Sequence, residues 1–268
     1  MNRDQRVLCA QQTLKAIEDG YYTLGERRIE LAASIQAAIS GTVGIRPDAL
    51  IPTVLPGRHE TRFAVTAEST MAASCRLAAS GRVCALNFAS AKNPGGGFLS
   101  GAQAQEEALT RSSALHPCLL TQPNYYRDNK YYKTLLYTDH MIYSPGVPFF
   151  RDDEGGWLDA PVLVSVITSP APNAGAVASQ EPESLPSLEA CFARRISRLL
   201  AIVASRGEDR LVLGAWGCGV FGNDPELVAH LFHEALHGEF RGVFKEVVFA
   251  IYESKGDVRR QAFAKWFD

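Results

Sequence analysis

Two adjacent glutamates, Glu106 and Glu107, belong to a Gln-Glu-Glu run that seven residues separate from the glycines Gly95, Gly96 and Gly97, in the stretch "NFASAKNPGGGFLSGAQAQEEAL". Paired carboxyls beside a flexible backbone suit general acid–base work, one group orienting a substrate and the other moving a proton. Glycines lacking a Cβ let backbone N–H groups come close to an anion. Taken singly, the glycines are a tight turn and the glutamates are acids favoured by a helix dipole. A second loop adds weight to the chemical reading. "LVLGAWGCGVFGNDPELV" (211–228) carries glycines at 214, 217, 219 and 222 between an apolar run and a helix opened by Asn223 or Asp224, with Pro225 in its first turn. Two such strand-to-helix loops suggest a cradle for a diphosphate; the alternative is two ordinary turns, with Gly214 permitting close packing. No Gly-Lys-Ser/Thr follows either loop, and neither is a G-x-G-x-x-G with a downstream ribose acid, so a nucleoside triphosphate site is disfavoured.

These loops need a scaffold, and the sequence supplies an alternation of strands and helices. Residues 4–18 and 28–40 read as two N-terminal helices ended by Gly20 and Gly41, followed by a connector with Pro47, Pro52 and Pro56. Strands are expected at 62–66, 82–88, 140–145, 161–169, 210–216 and 246–254, and helices at 69–80, 106–115, 188–207 and 225–238. The last three strands are nearly unbroken Val/Ile/Leu/Phe runs, as in a sheet covered on both faces. Ligands in such sheets bind beyond the carboxyl ends of the strands, where both glycine loops fall. Residues 170–187, rich in Pro, Ser and Ala, read as a long functional or mobile loop.

Bulk properties fit one sizeable domain with an appendage: 268 residues, 46% apolar and 21% charged, with a net charge of −2. That charge excludes a broad basic surface for a polyanion, so any anionic ligand is held locally. Cys9, Cys75, Cys84, Cys118, Cys191 and Cys218 form no C-x-x-C pair and point to reduced thiols in a cytoplasmic setting. No apolar run is long enough for a membrane span.

G-G-G, seven residues, Q-E-E and then G-x-G-x-F-G resembles the signature of bacterial-type poly(ADP-ribose) glycohydrolases, which are built on a macrodomain. The resemblance runs from about residue 60 to the end. It implies a three-layer α/β/α mixed sheet, with residues 1–58 as an N-terminal helical accessory segment and 59–268 as the catalytic domain, the two forming one compact unit. It further implies that the chain hydrolyses ribose–ribose O-glycosidic bonds, chiefly at chain ends, on poly(ADP-ribose) and ADP-ribosylated proteins. Neither a metal nor another cofactor is implied, nor nucleic-acid sequence recognition. Glu107 would be the catalytic residue and Glu106 would hold ribose hydroxyls. Gly95, Gly96 and Gly97 would pack against the distal ribose and phosphate, with Gln105, Asn93 and Ser90 in the substrate-binding set. Gly217, Cys218, Gly219, Val220, Phe221 and Gly222 would wrap the diphosphate, Phe221 lying against ribose and Cys218 serving as a small residue in tight packing.

Departure of a sugar hydroxyl through an oxocarbenium-like state needs an acid, so Glu107 must carry a proton. A helix N-terminus opposes that, whereas the substrate diphosphate, a charged Glu106 and desolvation favour it. One alternative is a non-catalytic ADP-ribose-binding macrodomain that keeps both loops without needing Glu107. Another is a zinc hydrolase using H-E-x-x-H, residues His233, Glu234 and His237. At about 100° per residue, however, Glu226, His230, His233 and His237 fall opposite the apolar arc, as on a helix whose histidines face solvent. The aromatic and basic run "YYRDNKYYKTLLY" (125–137) reads as a solvated connector with partly packed tyrosines rather than a stacking platform, and His116 and His140 as ordinary surface or core residues.

Overall fold

The computed structural model describes residues 1–55, 57–253 and 256–268. Pro56, in the expected connector, and Ser254, at the end of the expected last strand, lie outside the described residues. In chain order the elements are α1 (Arg3–Asp19), β1 (Tyr21–Leu24), β2 (Arg27–Glu30), α2 (Ala32–Gly41), β3 (Val43–Ile45), β4 (Arg62–Thr66), α3 (Thr70–Ala78) and β5 (Val83–Phe88). There follow α4 (Gln105–Ser112), α5 (Leu115–Leu120), α6 (Pro123–Lys130), β6 (Met141–Arg151), β7 (Trp157–Ser169), α7 (Ala174–Gln180) and α8 (Leu188–Ser205). The chain ends with β8 (Arg210–Leu213), α9 (Pro225–His237), β9 (Glu246–Ala250) and α10 (Val258–Phe267).

Among the described residues the main sheet has seven strands in the order β3-β6-β7-β5-β8-β9-β4. The strands β7, β5, β8, β9 and β4 are mutually parallel, while β6 runs antiparallel to β7 and β3 antiparallel to β6. Because side chains alternate across a strand, the apolar runs feed two cores at once. Cys84, Leu86, Leu211, Leu213, Val247 and Phe249 face the layer of α8, α9 and α10. Val83, Ala85, Val212, Val248 and Ala250 face the layer built from α1 to α6. Each fully buried Leu or Phe contributes about 1.5–3 kcal/mol, so both layers are held by these strands. No helix among the described residues is long and apolar enough to cross a membrane.

Several elements depart from the sequence reading. The expected helix 28–40 begins only at Ala32, because Gly25, at φ +60, turns Tyr21–Leu24 back on Arg27–Glu30 as a hairpin. Segment 1–58 is therefore not only helical, and its β3 is the edge strand of the main sheet, paired with β6. The strand expected to stop at Pro145 continues to Arg151, since a bulge between Ser144 and Val147 absorbs Pro145 and Gly146 without ending the ladder. The first half of β7 projects past the helices, leaving Leu163 54% exposed, where an unbroken apolar run suggested burial. Residues 170–187 are not a bare loop. They hold α7, capped by Asn173, and a 3₁₀ turn over Pro182–Ser187.

Candidate functional site

The carboxyl ends of the neighbouring parallel strands β5 and β8 open into the two glycine loops, residues 89–104 and 214–224. Gly214 lets these ends close up, since a Cβ there would lie 2.8 Å from the Ala250 carbonyl and 3.0 Å from the Phe88 ring. This glycine serves strand packing.

In the first loop, α4 begins at Gln105 and presents both glutamates in its first turn. The Gln105 side chain fixes the helix to β5. Its oxygen accepts from Phe88 N at 2.8 Å, and its amide donates to the Leu86 carbonyl at 2.7 Å and to Thr70 Oγ1 at 3.1 Å. Its polar atoms are thus occupied within the protein. Glu106 points inward and is 3% exposed. It accepts from Ser90 N at 2.6 Å and from Asn87 Nδ2 at 3.3 Å, and Asn87 also donates to Thr168 Oγ1 at 3.2 Å. Burial pushes its carboxyl up to about 8, helped by the Glu107 charge and opposed by the Ser90, Asn87 and Gly95 donors. This corrects one expectation. A charged Glu106 was to help protonate Glu107, but Glu106 is itself neutral below about pH 8.

Glu107 is half-buried, and its Oε1 accepts from Gly97 N at 2.9 Å. Gly95 and Gly96 sit at φ +72 and +60, where glycine is favoured. A Cβ on Gly96 would be 2.2 Å from Glu107 Oε1 and 3.1 Å from Glu106 Oε2. The closest approach made by this glycine is to the carboxyls themselves. Ser90 turns the loop, its Oγ accepting from Lys92 N at 3.2 Å and Asn93 N at 3.0 Å, while Asn93 is exposed beside it.

The N-terminal helix reaches this loop. Arg3 Nε donates to the Ser100 carbonyl at 3.0 Å, Arg6 Nε to the Gly101 carbonyl at 2.7 Å, and Thr13 Oγ1 to the Arg111 carbonyl on α4 at 2.6 Å. Neither this clamp nor Asn87 emerged from sequence reasoning. The one available signal was a polar residue inside the apolar run "CALNF", since a buried amide demands partners.

The second loop is anchored at both ends and open at its apex. Trp216 is fully buried and donates to the Ser169 carbonyl at 3.3 Å. Asn223 Nδ2 donates to the Pro172 and Gly217 carbonyls, both at 2.9 Å. Gly217 and Gly222 lie at φ +74 and +66, and a Cβ on Gly217 would meet Ala171 and Asn223 at 2.5 Å. Between them Val220 is 94% exposed. The N–H groups of Gly219, Val220 and Phe221 have no hydrogen-bond partner among the described residues. Backbone donors turned outward together form an anion-binding concavity. Phe221 holds α7 through Gly175 N, at 2.9 Å, and its ring lies 6.4 Å from that of Tyr137. Burial pushes the Cys218 thiol up to about 12, the behaviour of a packed residue and not of a reactive thiolate.

The H-E-x-x-H face lies away from both loops. His230 and His233 rest against Trp266, and His233 and His237 also pack on Phe267 of α10, so part of the face expected in solvent is covered by a helix the sequence reading had not placed. Among the described residues no group of three His, Cys, Asp or Glu side chains is placed to hold a metal ion. In the run 125–137 the tyrosines are partly packed, as expected, with Tyr125 and Tyr126 buried and Tyr131 and Tyr132 exposed, but its first half is the helix α6 and not a connector.

A layered α/β/α sheet with a carboxyl pair beside one glycine turn, and a second glycine loop on the neighbouring strand, defines a macrodomain-like protein. The family model for the microbial-type PARG catalytic domain matches residues 10–152, and the chain belongs to that family. Poly(ADP-ribose) glycohydrolase (PARG) from Thermomonospora curvata is 43% identical, with 99% of this chain and 100% of that chain covered and a TM-score of 0.92. The same enzyme bound to the inhibitor ADP-HPD is 42% identical, with coverage of 98% and 99% and a TM-score of 0.89. PARG from Deinococcus radiodurans in complex with ADP-ribose is 45% identical, with coverage of 86% and 95% and a TM-score of 0.80. Among curated proteins, none matches the chain.

Proposed function

We infer that this chain is a poly(ADP-ribose) glycohydrolase, hydrolysing the ribose–ribose O-glycosidic bonds of poly(ADP-ribose) and releasing ADP-ribose, also from ADP-ribosylated proteins. The observation that carries the reading is the half-buried Glu107 carboxyl, held by Gly97 N between the two glycine loops. It stands in a chain 43% identical to a glycohydrolase along nearly its whole length.

In this reading the diphosphate lies on the free N–H groups of Gly219, Val220 and Phe221, with the Phe221 ring against a ribose. The glycine turn at Gly95–Gly97 lines the distal ribose, with Asn93 at its exposed edge. Glu106, buried and neutral, fixes the loop through Ser90 N and presents a carboxyl toward the ribose hydroxyls. Gln105 and Ser90 act by positioning, since their side chains are engaged within the protein. Glu107 gives its proton to the departing ribose hydroxyl as the C–O bond breaks, then takes one from the water that attacks the oxocarbenium-like carbon. The bound diphosphate offsets the positive charge on that ribose. No step passes through a metal, and the attack falls chiefly at chain ends. The whole chain acts as one unit, because α1 holds the carboxyl loop and β3 completes the sheet. The unpaired cysteines suit a cytoplasmic protein.

Hydrolysis of poly(ADP-ribose) by the wild type and by Glu107→Gln tests this. The variant keeps shape but has no carboxylic proton, so turnover falls by about 10²–10⁴-fold while ADP-ribose binding is kept. Normal turnover by the variant would sink the mechanism. Tight binding by the wild type without release of ADP-ribose would make the protein a reader of ADP-ribose instead.

A further inference from the structure

A groove on the same end of the sheet has no part in the site described above. It is lined by Arg46, Arg127, Tyr131, Tyr132 and Lys133, with Asp48, Asp128 and Thr138, and encloses about 510 Å³. That is ample room for a nucleotide. The topology explains its position. Strand β3 runs in the same direction as β7 and β5, and β6 opposite to them, so the residue after β3, Arg46, and the segment before β6 both emerge where the glycine loops do. Helix α6 joins the two places. Tyr125 Oη reaches the carbonyl of Ser90, whose N–H holds Glu106, while Arg127 and Asp128, two and three residues further along the helix, line the groove.

We propose that this groove binds a further nucleotide unit of poly(ADP-ribose), one beyond the unit held at the carboxyl pair. The inference rests on the glycohydrolase reading and extends it to how a long polymer is held. Tyr131 is 75% exposed and Tyr132 49%, two rings in water where packing would ordinarily bury them. Exposed aromatic rings stack nucleobases, and interleaved cations take the phosphates. Lys133 has no ion-pair partner among the described residues. Arg46 spends one bond on Asp48, at 3.2 Å, and Arg127 one on Asp128, at 3.3 Å, leaving most of each guanidinium's donors for a diphosphate. The second Asp128 oxygen is taken by His140 Nδ1 at 3.1 Å.

The segment that enters the groove at Thr138 is also preorganised. Tyr137 sits at φ +61, a strained conformation for a residue with a side chain. It is held there by the fully buried Arg195, whose Nη2 donates to the Leu136 carbonyl at 2.9 Å and the Tyr137 carbonyl at 3.0 Å, and whose Nη1 donates to the Pro170 carbonyl at 2.8 Å. Thr138 is fixed to Asn129 Oδ1 through both its N and its Oγ1, each at 2.8 Å. A wall ordered in advance loses little freedom when a ligand arrives. Poly(ADP-ribose) fits better than a nucleic acid because the groove adjoins a site for the same repeating unit, and the net charge of −2 provides no wider basic track.

The test uses the full chain and compares ADP-ribose, long poly(ADP-ribose) and a single-stranded DNA oligonucleotide. Dissociation constants are measured in the Glu107→Gln background, and kcat/KM with Glu107 present. The double change Tyr131→Ala with Tyr132→Ala, and separately Lys133→Glu, should each weaken long-polymer binding about tenfold while leaving ADP-ribose binding unchanged. Tyr131→Phe with Tyr132→Phe should restore polymer binding, because stacking needs the ring and not the hydroxyl. Equal polymer affinity in all variants, or equal loss for polymer and monomer, overturns the groove as a polymer site. So does DNA that binds the wild type as tightly as the polymer and loses affinity with the same changes. A wild type that neither binds nor cleaves poly(ADP-ribose) overturns the glycohydrolase reading and this inference with it; normal cleavage with unaltered length dependence overturns the groove alone.

Discussion

The two glycine loops share a composition and a place in the fold, yet they are held in opposite ways. The carboxyl loop is held at many points along its length: Gln105 ties it to β5, Ser90 N and Gly97 N fix the glutamates, and Arg3, Arg6 and Thr13 clamp it from α1. The second loop is held near its ends by Trp216 and Asn223 and through the Phe221 carbonyl by Gly175 N, and leaves the N–H groups of Gly219, Val220 and Phe221 without partners among the described residues. The difference fits the roles proposed for the two loops. A proton donor works only at a fixed distance and angle from the reacting oxygen, which suits a loop whose carboxyls are held by several bonds. An anion cradle needs donors that the protein itself has not used.

The largest test of that contrast concerns the buried carboxyl. Glu106 titrates near 8 in the folded chain, above its value in the unfolded chain, so the folded state keeps a proton that the unfolded state releases. Its contribution is therefore fully present below the unfolded pKa and is lost as pH rises toward about 8. Against Glu106→Gln, the wild type should lose roughly 4–5 kcal/mol more stability between about pH 4.5 and pH 8.5, read from urea unfolding across that range. The substitution is accommodated if the Asn87 amide turns to present its unpartnered Oδ1 to the introduced NH₂. Parallel stability curves would mean that Glu106 is charged, and that the carboxyl loop is not the closed, neutral region described.

A smaller change separates the loops by glycine. Gly96→Ala places a methyl group in the space of the Glu107 carboxyl at a positive φ, and should cost about 1–3 kcal/mol while lowering kcat more than it raises KM. If KM rises and kcat is kept, the turn serves substrate approach and not the placement of the acid.

Much of this was legible in the sequence. Both loops, the strands around them and the long helices follow from period and punctuation, which are local signals. The hairpin was hidden because "RRIE" has helical propensity, and only Gly25 and the packing of Tyr22 on Trp157 make it a strand. Strand β6 was cut short because a proline reads as an ending unless a bulge is known to follow. What the sequence withheld at the site is long-range. Arg6 and Gly101 are 95 residues apart, and no spacing rule connects them. The direction of the carboxyls was hidden for the same reason: "EE" on a helix says which residues are adjacent, whereas packing against Asn87 and Ser90 decides that Glu106 points inward and that its carboxyl is pushed up.

The smallest expected effect probes the open loop. Val220 is 94% exposed at the apex, so Val220→Ser should move unfolding stability by less than about 0.5 kcal/mol. The proposed contacts of this loop with the diphosphate are made by backbone N–H groups, which the substitution retains, so KM should change little as well. Val220→Pro is the sharper partner, because it removes one of the three apex donors without adding charge or great bulk. If KM rises with the proline and not with the serine, while kcat holds in both, the apex works through its backbone. If the serine raises KM as much as the proline, the valine side chain touches the substrate, and the two loops differ less than their hydrogen bonds suggest.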